Sequence, residues 1–246
     1  MPIITDPRQR MARAEEKKTL LLRFLREELY TTPQVAAQVM GVAPRAARAT
    51  VAALEASGFV KRHHVALVPS LPPLVLIGIT PSGQSMAFDP ATEAPIERSF
   101  EPGRFSLNYL RHTLETQQLR IRAQYAGITK WVSGDRMAAV QKGVKKPDAV
   151  ALDVRGQRVA IEVERSVKGP KSYADVLSGH LTAMHQNKWS RVIWSSPDTK
   201  TRDRVKTLIL AVKRVRIAGI DTRIDPAKHH QNLAFCTHDV FTTLLT

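Results

Sequence analysis

Apolar residues recur at helical spacing and then at strand spacing over the first third of the chain. Thr32-Pro33 suits the start of a helix, because a hydroxyl cap precedes a first-turn proline, and Gly41 suits a helix end. The pattern predicts three helices, two strands and a short closing helix, at residues 18–29, 34–40, 43–56, 59–69, 74–80 and 81–87.

The rest of the chain alternates between predicted strands and helices. A three-proline segment without periodicity, 89–103, predicts a linker between a domain at 1–88 and a second domain at 104–246. The second domain opens with an amphipathic helix at 104–125, in which Phe105 is expected on the buried side. The later elements are a strand, a hairpin, a helix, a strand, a helix, a strand and a short helix, at residues 129–132, 147–165, 172–187, 191–196, 201–218, 232–237 and 239–245. This order favours an α/β fold of the α+β type, with a central mixed sheet flanked by helices.

Three acidic residues fall in the hairpin at 147–165, which otherwise has the apolar pattern of a core. Asp148 enters its first strand, and Glu162 and Glu164 lie in its second. Because side chains alternate along a strand, the two glutamates are expected on one face, and the isoleucine and valine beside them on the other. Unpaired charge beside a core is costly, and a divalent metal ion is one partner that suits all three carboxylates. A surface hairpin whose acids pair with arginines is the alternative.

The charge of the chain favours a polyanionic partner. Its 246 residues include 37 Lys or Arg against 22 Asp or Glu, a net charge of +15. Contacts to phosphates release condensed counterions, so this excess favours nucleic acid. The single cysteine, Cys236, excludes an internal disulfide and a cysteine-based zinc cluster. No apolar run is long enough for a membrane span and the N-terminus lacks a signal-peptide pattern, which predicts a cytoplasmic protein without a membrane partner.

The predicted order of elements over residues 1–88, with the patterns A-x-x-M-G-V and A-L-E-x-x-G-F-V, resembles winged helix-turn-helix DNA-binding domains. The resemblance implies that the helix at 43–56 enters the major groove and that the following strands form a wing near phosphates. The DNA contacts implied are Arg45, Arg48 and Thr50 on the helix and Lys61 and Arg62 on the wing. Lys171, in the second domain, is a further expected DNA contact. Winged helices also serve as protein-interaction modules, which remains an alternative.

Pro147-Asp148 on one strand and Glu162 on the next, within an α-β-β-β-α-β order, resemble the PD-(D/E)xK nuclease fold of restriction endonucleases. The resemblance implies that Asp148, Glu162 and Glu164 bind Mg²⁺ or Mn²⁺ and that a nearby lysine helps to activate the attacking water. Glu164 stands where the family has that lysine. Lys168, or the more distant Lys171, would therefore have to reach the site from the following turn.

The succession of the helix-turn-helix pattern, L-R-H-T-L-E around His112, P-D-A-V-A-L and I-E-V-E-R-S-V-K-G-P-K-S-Y is similar to the replication-relaxation family and its plasmid-mobilisation branch, the MOBC-type relaxases. The similarity implies a metal-dependent enzyme that nicks DNA at a plasmid transfer origin. Its DNA partner would include hairpin or single-stranded DNA, and its protein partners would be other relaxosome or coupling proteins. It adds His112 and Tyr173 to the catalytic candidates, next to Lys168. A structural histidine and a core tyrosine are the alternatives for these two.

Two other functions fit the same sequence. A DNA-binding regulator or accessory factor with a degenerate nuclease domain is favoured by the glutamate at position 164. A site-specific endonuclease of the restriction or transposition type would share both domains, and double-strand breaks rather than nicks would identify it.

Overall fold

The computed structural model describes residues 6–67, 72–93, 98–104, 106–137 and 145–246, apart from the side chain of Asn108. Phe105, for which we expected a buried position, lies outside the described residues, as does part of the expected linker at 89–103. The chain divides into two compact units, Met1–Gln117 and Gln118–Thr246. The division falls inside a helix rather than in the segment at 89–103.

The N-terminal unit combines helices with a small antiparallel sheet. Its elements are α1 (Pro7–Glu28), β1 (Tyr30–Thr31), α2 (Pro33–Val39), α3 (Pro44–Ala56), β2 (Val60–Val65), β3 (Leu74–Ile79), α4 (Pro81–Met86), a 3-10 turn (Pro102–Arg104) and the first part of α5 (Leu107–Tyr125). The strands are ordered β1-β3-β2, with both neighbouring pairs antiparallel. The predicted helices and strands of this region are confirmed in kind, whereas the two-residue β1 was not predicted. The strand predicted at 59–69 is observed at Val60–Val65, and its residues 68 and 69 lie outside the described residues.

Local signals explain where these helices begin. The Asp6 side chain accepts a hydrogen bond from Arg8 N at the start of α1, which is longer than predicted, and Thr32 caps α2 as expected. The apolar faces of the helices meet the sheet in one cluster that includes Leu25, Leu54 and Ile77. The outer face of α3 is thereby left to solvent.

The C-terminal unit is built on a five-stranded mixed sheet. Its elements are β4 (Trp131–Ser133), a 3-10 turn (Gly134–Arg136), β5 (Ala149–Leu152), β6 (Arg158–Val163), α6 (Pro170–His185), β7 (Arg191–Ser196), α7 (Thr199–Leu210), β8 (Arg214–Ile217), β9 (Ile220–Arg223), α8 (Pro226–His229), β10 (Leu233–Thr237) and a last 3-10 turn (Phe241–Leu244). The sheet order is β10-β7-β6-β5-β4; β6 is parallel to β7 and β7 to β10, whereas β5 is antiparallel to both of its neighbours. With eight α-helices in the described ranges, this mixed sheet confirms the predicted α+β class.

Apolar residues cover both faces of this sheet. On one face, Ile161 and Val163 pack with the second half of α5 and with the final 3-10 turn. On the other face, Ala160 and Trp194 pack with α6 and α7. The alternation expected for β6 is therefore confirmed, and it directs the Glu162 side chain towards α6.

Two predicted elements near the C-terminus differ from the structure. The helix expected at 201–218 ends at Leu210, and residues 214–217 instead form β8, paired with β9. Ala218 and Gly219, which join the two strands, both have positive φ angles, as a tight two-residue hairpin requires. The short helix expected at 239–245 is a 3-10 turn at Phe241–Leu244.

Within the described parts of the chain, no helix combines the length and the apolar character needed to cross a membrane.

Candidate functional site

The acidic residues of the predicted site lie at one edge of the mixed sheet. Glu162 is near the carboxyl end of β6, and Glu164 follows that strand. Asp148 immediately precedes β5, and because β5 runs antiparallel to β6 its amino end meets the same edge. Ligand sites of open α/β sheets lie outside the carboxyl ends of parallel strands, so this is the edge at which we expect chemistry.

Backbone contacts fix the position of this edge. The Val163 N–H donates to the Asp148 carboxylate at 2.7 Å, and the Glu164 N–H donates to the Ser195 carbonyl of β7 at 2.9 Å. Glu164 thus stays attached to the sheet although β6 has ended. Gly134 donates to the Asp148 carbonyl at 2.7 Å, which ties the end of β4 to the same point.

Glu162 is a buried carboxylate with the side-chain nitrogens of two other residues close to it. The His180 Nε2 atom lies 2.9 Å from Glu162 Oε1, and both side chains are almost fully buried. Lys145 Nζ lies 3.6 Å from the other carboxylate oxygen. Gly179 permits this approach, because a Cβ there would lie 2.8 Å from the backbone nitrogen of Lys145. The contacts with His180 and Lys145 fix the orientation of the Glu162 carboxylate.

Glu164 pairs with Lys168. Lys168 Nζ donates to Glu164 Oε1 at 2.8 Å, and the glutamate side chain is buried whereas that of Lys168 is 46% exposed. Tyr173, buried in α6, accepts a hydrogen bond from the Lys168 backbone N–H at 3.1 Å. The tyrosine thus holds the turn that carries Lys168, and this position fits a role in positioning rather than in nucleophilic attack.

The buried charges of the site shift one another's pKa values. Burial raises the pKa of Glu164 above its usual range, and the nearby Glu162 and Asp148 charges raise it further, against the opposing effect of Lys168. Burial lowers the pKa of Lys168, but the hydrogen bond and the charge of Glu164, with the charges of Glu162 and Asp148, outweigh it and the net shift is upward. Burial also raises the pKa of Tyr173. All three carboxylates therefore act on one lysine, and protons bind more tightly there than in water.

Sequence reasoning missed both partners of Glu162, His180 and Lys145. Helical spacing could have found the histidine, because Tyr173, Leu177 and His180 follow one another at the interval of one buried helix face. Lys145 has no comparable signal, since its approach depends on tertiary contacts. Ser195 and His238, which bond at 2.7 Å at the ends of β7 and β10, were also missed.

The three carboxylates carry donor atoms of the kind that suits a divalent cation. Carboxylate oxygens are the ligands that Mg²⁺ and Mn²⁺ prefer. As the side chains stand, however, no group of three or more His, Cys, Asp or Glu residues in the described ranges could hold a metal ion. An ion would have to take the place of Lys168 on Glu164, which the exposure of the lysine side chain allows.

The two remaining candidates, His112 and Lys171, belong to helices α5 and α6. His112 is half-buried in the first part of α5, within the N-terminal unit, and its carbonyl accepts a hydrogen bond from Thr116. Lys171 is exposed in the first turn of α6.

Some of the expected DNA contacts of the N-terminal unit are exposed, and others are paired or buried within the unit. Arg45 and Arg48 are exposed on the outer face of α3, and Lys61 is exposed on β2. Arg62 is bound to Glu55 at 2.8 Å. Thr50 points into the unit and is 6% exposed, so the structure places it in the core rather than on the surface that could meet DNA.

The chain was compared with known proteins at three levels. No family model, no curated protein and no solved structure matches it.

Replacement of Glu164 by glutamine is expected to stabilise the metal-free protein at neutral pH. Because the folded pKa of Glu164 lies above the unfolded value near 4.5, the ionised carboxylate disfavours folding as pH rises through this window, and the penalty is complete above the folded pKa. At pH 8 with a chelator, Glu164→Gln should raise the Tm by roughly 2–4 °C, the equivalent of about 1 kcal/mol in a chain of this length. Near pH 4 the difference should vanish. A Tm at pH 8 below that of the unchanged protein would contradict the upward shift of the Glu164 pKa.

Proposed function

We propose that the chain is a metal-dependent DNA-nicking enzyme of the relaxase kind, which acts at a plasmid transfer origin to start conjugative mobilisation. Its N-terminal unit would be a winged helix-turn-helix that selects the DNA site. Its C-terminal unit would be a nuclease domain of the PD-(D/E)xK kind. A DNA substrate implies action in the cytoplasm, beside other relaxosome or coupling proteins.

One observation carries this proposal: three carboxylates from two neighbouring strands act on the same ammonium group at the edge of the sheet. Glu162 and Glu164 are buried at this edge, and the charges of Glu162 and Asp148 raise the pKa of Glu164. Carboxylates gathered in a buried position cost stability, so they are expected where a cation or a reaction requires them.

The residues then have distinct roles. Asp148, Glu162 and Glu164 would hold the Mg²⁺ or Mn²⁺ ion, which supplies neutralisation of phosphate charge and activation of water. Lys168, once released from Glu164, is free to contact the scissile phosphate or the developing negative charge. His180 keeps Glu162 in place, and Tyr173 keeps the Lys168 turn in place.

The DNA-binding role of the N-terminal unit rests on charge and shape. The outer face of α3 presents Arg45 and Arg48 together with alanines at 46, 49 and 52, all exposed. Small side chains between arginines let a helix approach a groove closely, and arginine suits both phosphates and guanine edges. Lys61 extends this basic surface onto β2.

A non-catalytic DNA-binding protein is the second candidate. The pairing of Glu164 with Lys168 and of Glu162 with His180, and the lack of a ready group of metal ligands among the described residues, favour it. Under this alternative the ion pairs are permanent parts of the fold.

The deciding experiment uses supercoiled plasmid that carries the DNA surrounding the gene of this chain. With Mn²⁺ or Mg²⁺ the protein should convert it to the nicked circle, and a chelator should prevent this. The nick is then mapped and its 5′ end tested for attached protein. Linear product would indicate a restriction- or transposition-type endonuclease, and binding without cleavage under both ions would favour the non-catalytic protein.

A further inference from the structure

The β8–β9 hairpin has one face in the core and one face covered by arginines. Val215 packs among the buried residues of the α6 side of the sheet. Arg214, Arg216 and Arg223 are exposed, and Arg214 stands directly opposite Arg223 in the pairing of the two strands. The hairpin therefore presents three guanidinium groups on a small surface.

This arrangement is unfavourable for the isolated protein. Like charges directly opposite each other destabilise an antiparallel pair, and Asp221, which binds Arg214 at 2.5 Å, offsets only part of the charge. The surrounding segment 199–223 carries eight Lys or Arg residues and two Asp residues. Packing does not require these arginines, because the buried face of the hairpin is apolar. An external polyanion would remove the repulsion.

Backbone contacts hold the hairpin firmly on the C-terminal unit. The Ser178 hydroxyl of α6 donates to the Arg216 carbonyl, and the Ala218 N–H donates to the Thr182 hydroxyl at 3.0 Å. The Ile224 N–H donates to the Lys213 carbonyl at 2.8 Å. The arginine backbones are thus fixed before any partner binds, which lowers the entropic cost of binding.

We propose that the exposed face of the β8–β9 hairpin binds the phosphate backbone of DNA through Arg214, Arg216 and Arg223. This inference rests on DNA as the substrate of the proposed function, and it adds a DNA contact within the unit that carries the carboxylates. The hairpin would hold the DNA by charge, independently of the sequence that α3 selects.

The test measures the affinity of the full chain for a 30-base-pair duplex over a range of salt concentrations. The triple variant R214Q/R216Q/R223Q should make the negative slope of log K against log salt shallower by about 2–3, because each phosphate contact contributes about 0.9 to its magnitude. The matched control R155Q/R158Q/K188Q removes the same charge from exposed residues. These residues lie near the end of the strands opposite to the one that carries the carboxylates, and their loss should change the slope by less than about 1. Equal slopes for the two triple variants would overturn the proposal.

Two further arms separate folding and catalysis from this contact. The variant R214K/R216K/R223K keeps the charge and should keep the slope of the unchanged protein, whereas a slope as low as that of the glutamine variant would overturn the phosphate contact. If the unchanged protein nicks plasmid but the hairpin variants bind DNA with its slope, the DNA contact of the hairpin is refuted and the nuclease proposal stands. If binding depends on the hairpin but no nicking occurs, the DNA contact of the hairpin is supported and the nuclease proposal is refuted.

Discussion

Asp148→Asn and Glu164→Gln are each expected to reduce nicking of supercoiled plasmid by at least about 10³-fold while DNA binding is retained. Each substitution keeps the shape of the side chain and removes one negative charge from the cluster that we propose to hold the metal ion. Initial nicking rates at saturating protein and a fixed Mn²⁺ concentration give the comparison. Binding of the same plasmid region, measured without divalent ions, should agree within about twofold with that of the unchanged protein.

A matched substitution away from the site tests whether the loss of any carboxylate is enough to reduce nicking. Asp203 is exposed on α7 and pairs with Arg202, so Asp203→Asn removes the same charge without touching the sheet edge. Its nicking rate should stay within about threefold of the original. Undiminished nicking by both Asp148→Asn and Glu164→Gln would exclude the carboxylate cluster as the active site, whatever the Asp203 variant does.

The second large effect is expected from Arg45→Ala combined with Arg48→Ala. Both side chains are exposed on α3, and a specific arginine contact to a base contributes about 1–3 kcal/mol. The double variant should therefore bind its cognate DNA about 10²-fold more weakly or worse, and the loss should be much smaller on unrelated duplex. Competition between the two duplexes in one titration measures this difference directly.

The control for the α3 variant removes two arginines from the same unit. Arg8 and Arg10 lie in the exposed first turns of α1, and Arg8→Ala with Arg10→Ala should weaken cognate and unrelated DNA by similar, small factors. A loss of specificity equal to that of the α3 variant, or an α3 variant that still prefers cognate DNA, would argue against α3 as the recognition helix.

The sequence predicted the elements whose signals are local. Thr32 before Pro33 and the apolar spacing along α3 predicted these helices, and alternation predicted that Glu162 and Ile161 lie on opposite faces of β6. The hairpin of β8 and β9 was wrongly predicted as helix, because its basic and apolar residues also match a helical period. Only the positive φ angles of Ala218 and Gly219 decide for a turn.

The candidate site was only partly predictable for a related reason. The three acids follow from strand position, but the partner of each depends on long-range packing. His180 reaches Glu162 because α6 crosses over β6. Thr50, expected at the DNA, was wrongly placed for another reason. It follows Arg48 by two residues, about 200° around a helix, so it lies on nearly the opposite face and joins the core.

The helix α5 limits how this protein can be divided. Its first part carries Gln117, whose side chain bonds Thr31 at 2.8 Å and the Tyr30 carbonyl at 2.8 Å in the N-terminal unit, and its second part carries Leu119 and Ala123 of the C-terminal core. A fragment that stops at residue 103 loses the first set of contacts, and one that starts after residue 125 loses the second. Recombination between related genes would meet the same obstacle, so the two halves are expected to be inherited together rather than exchanged as separate modules.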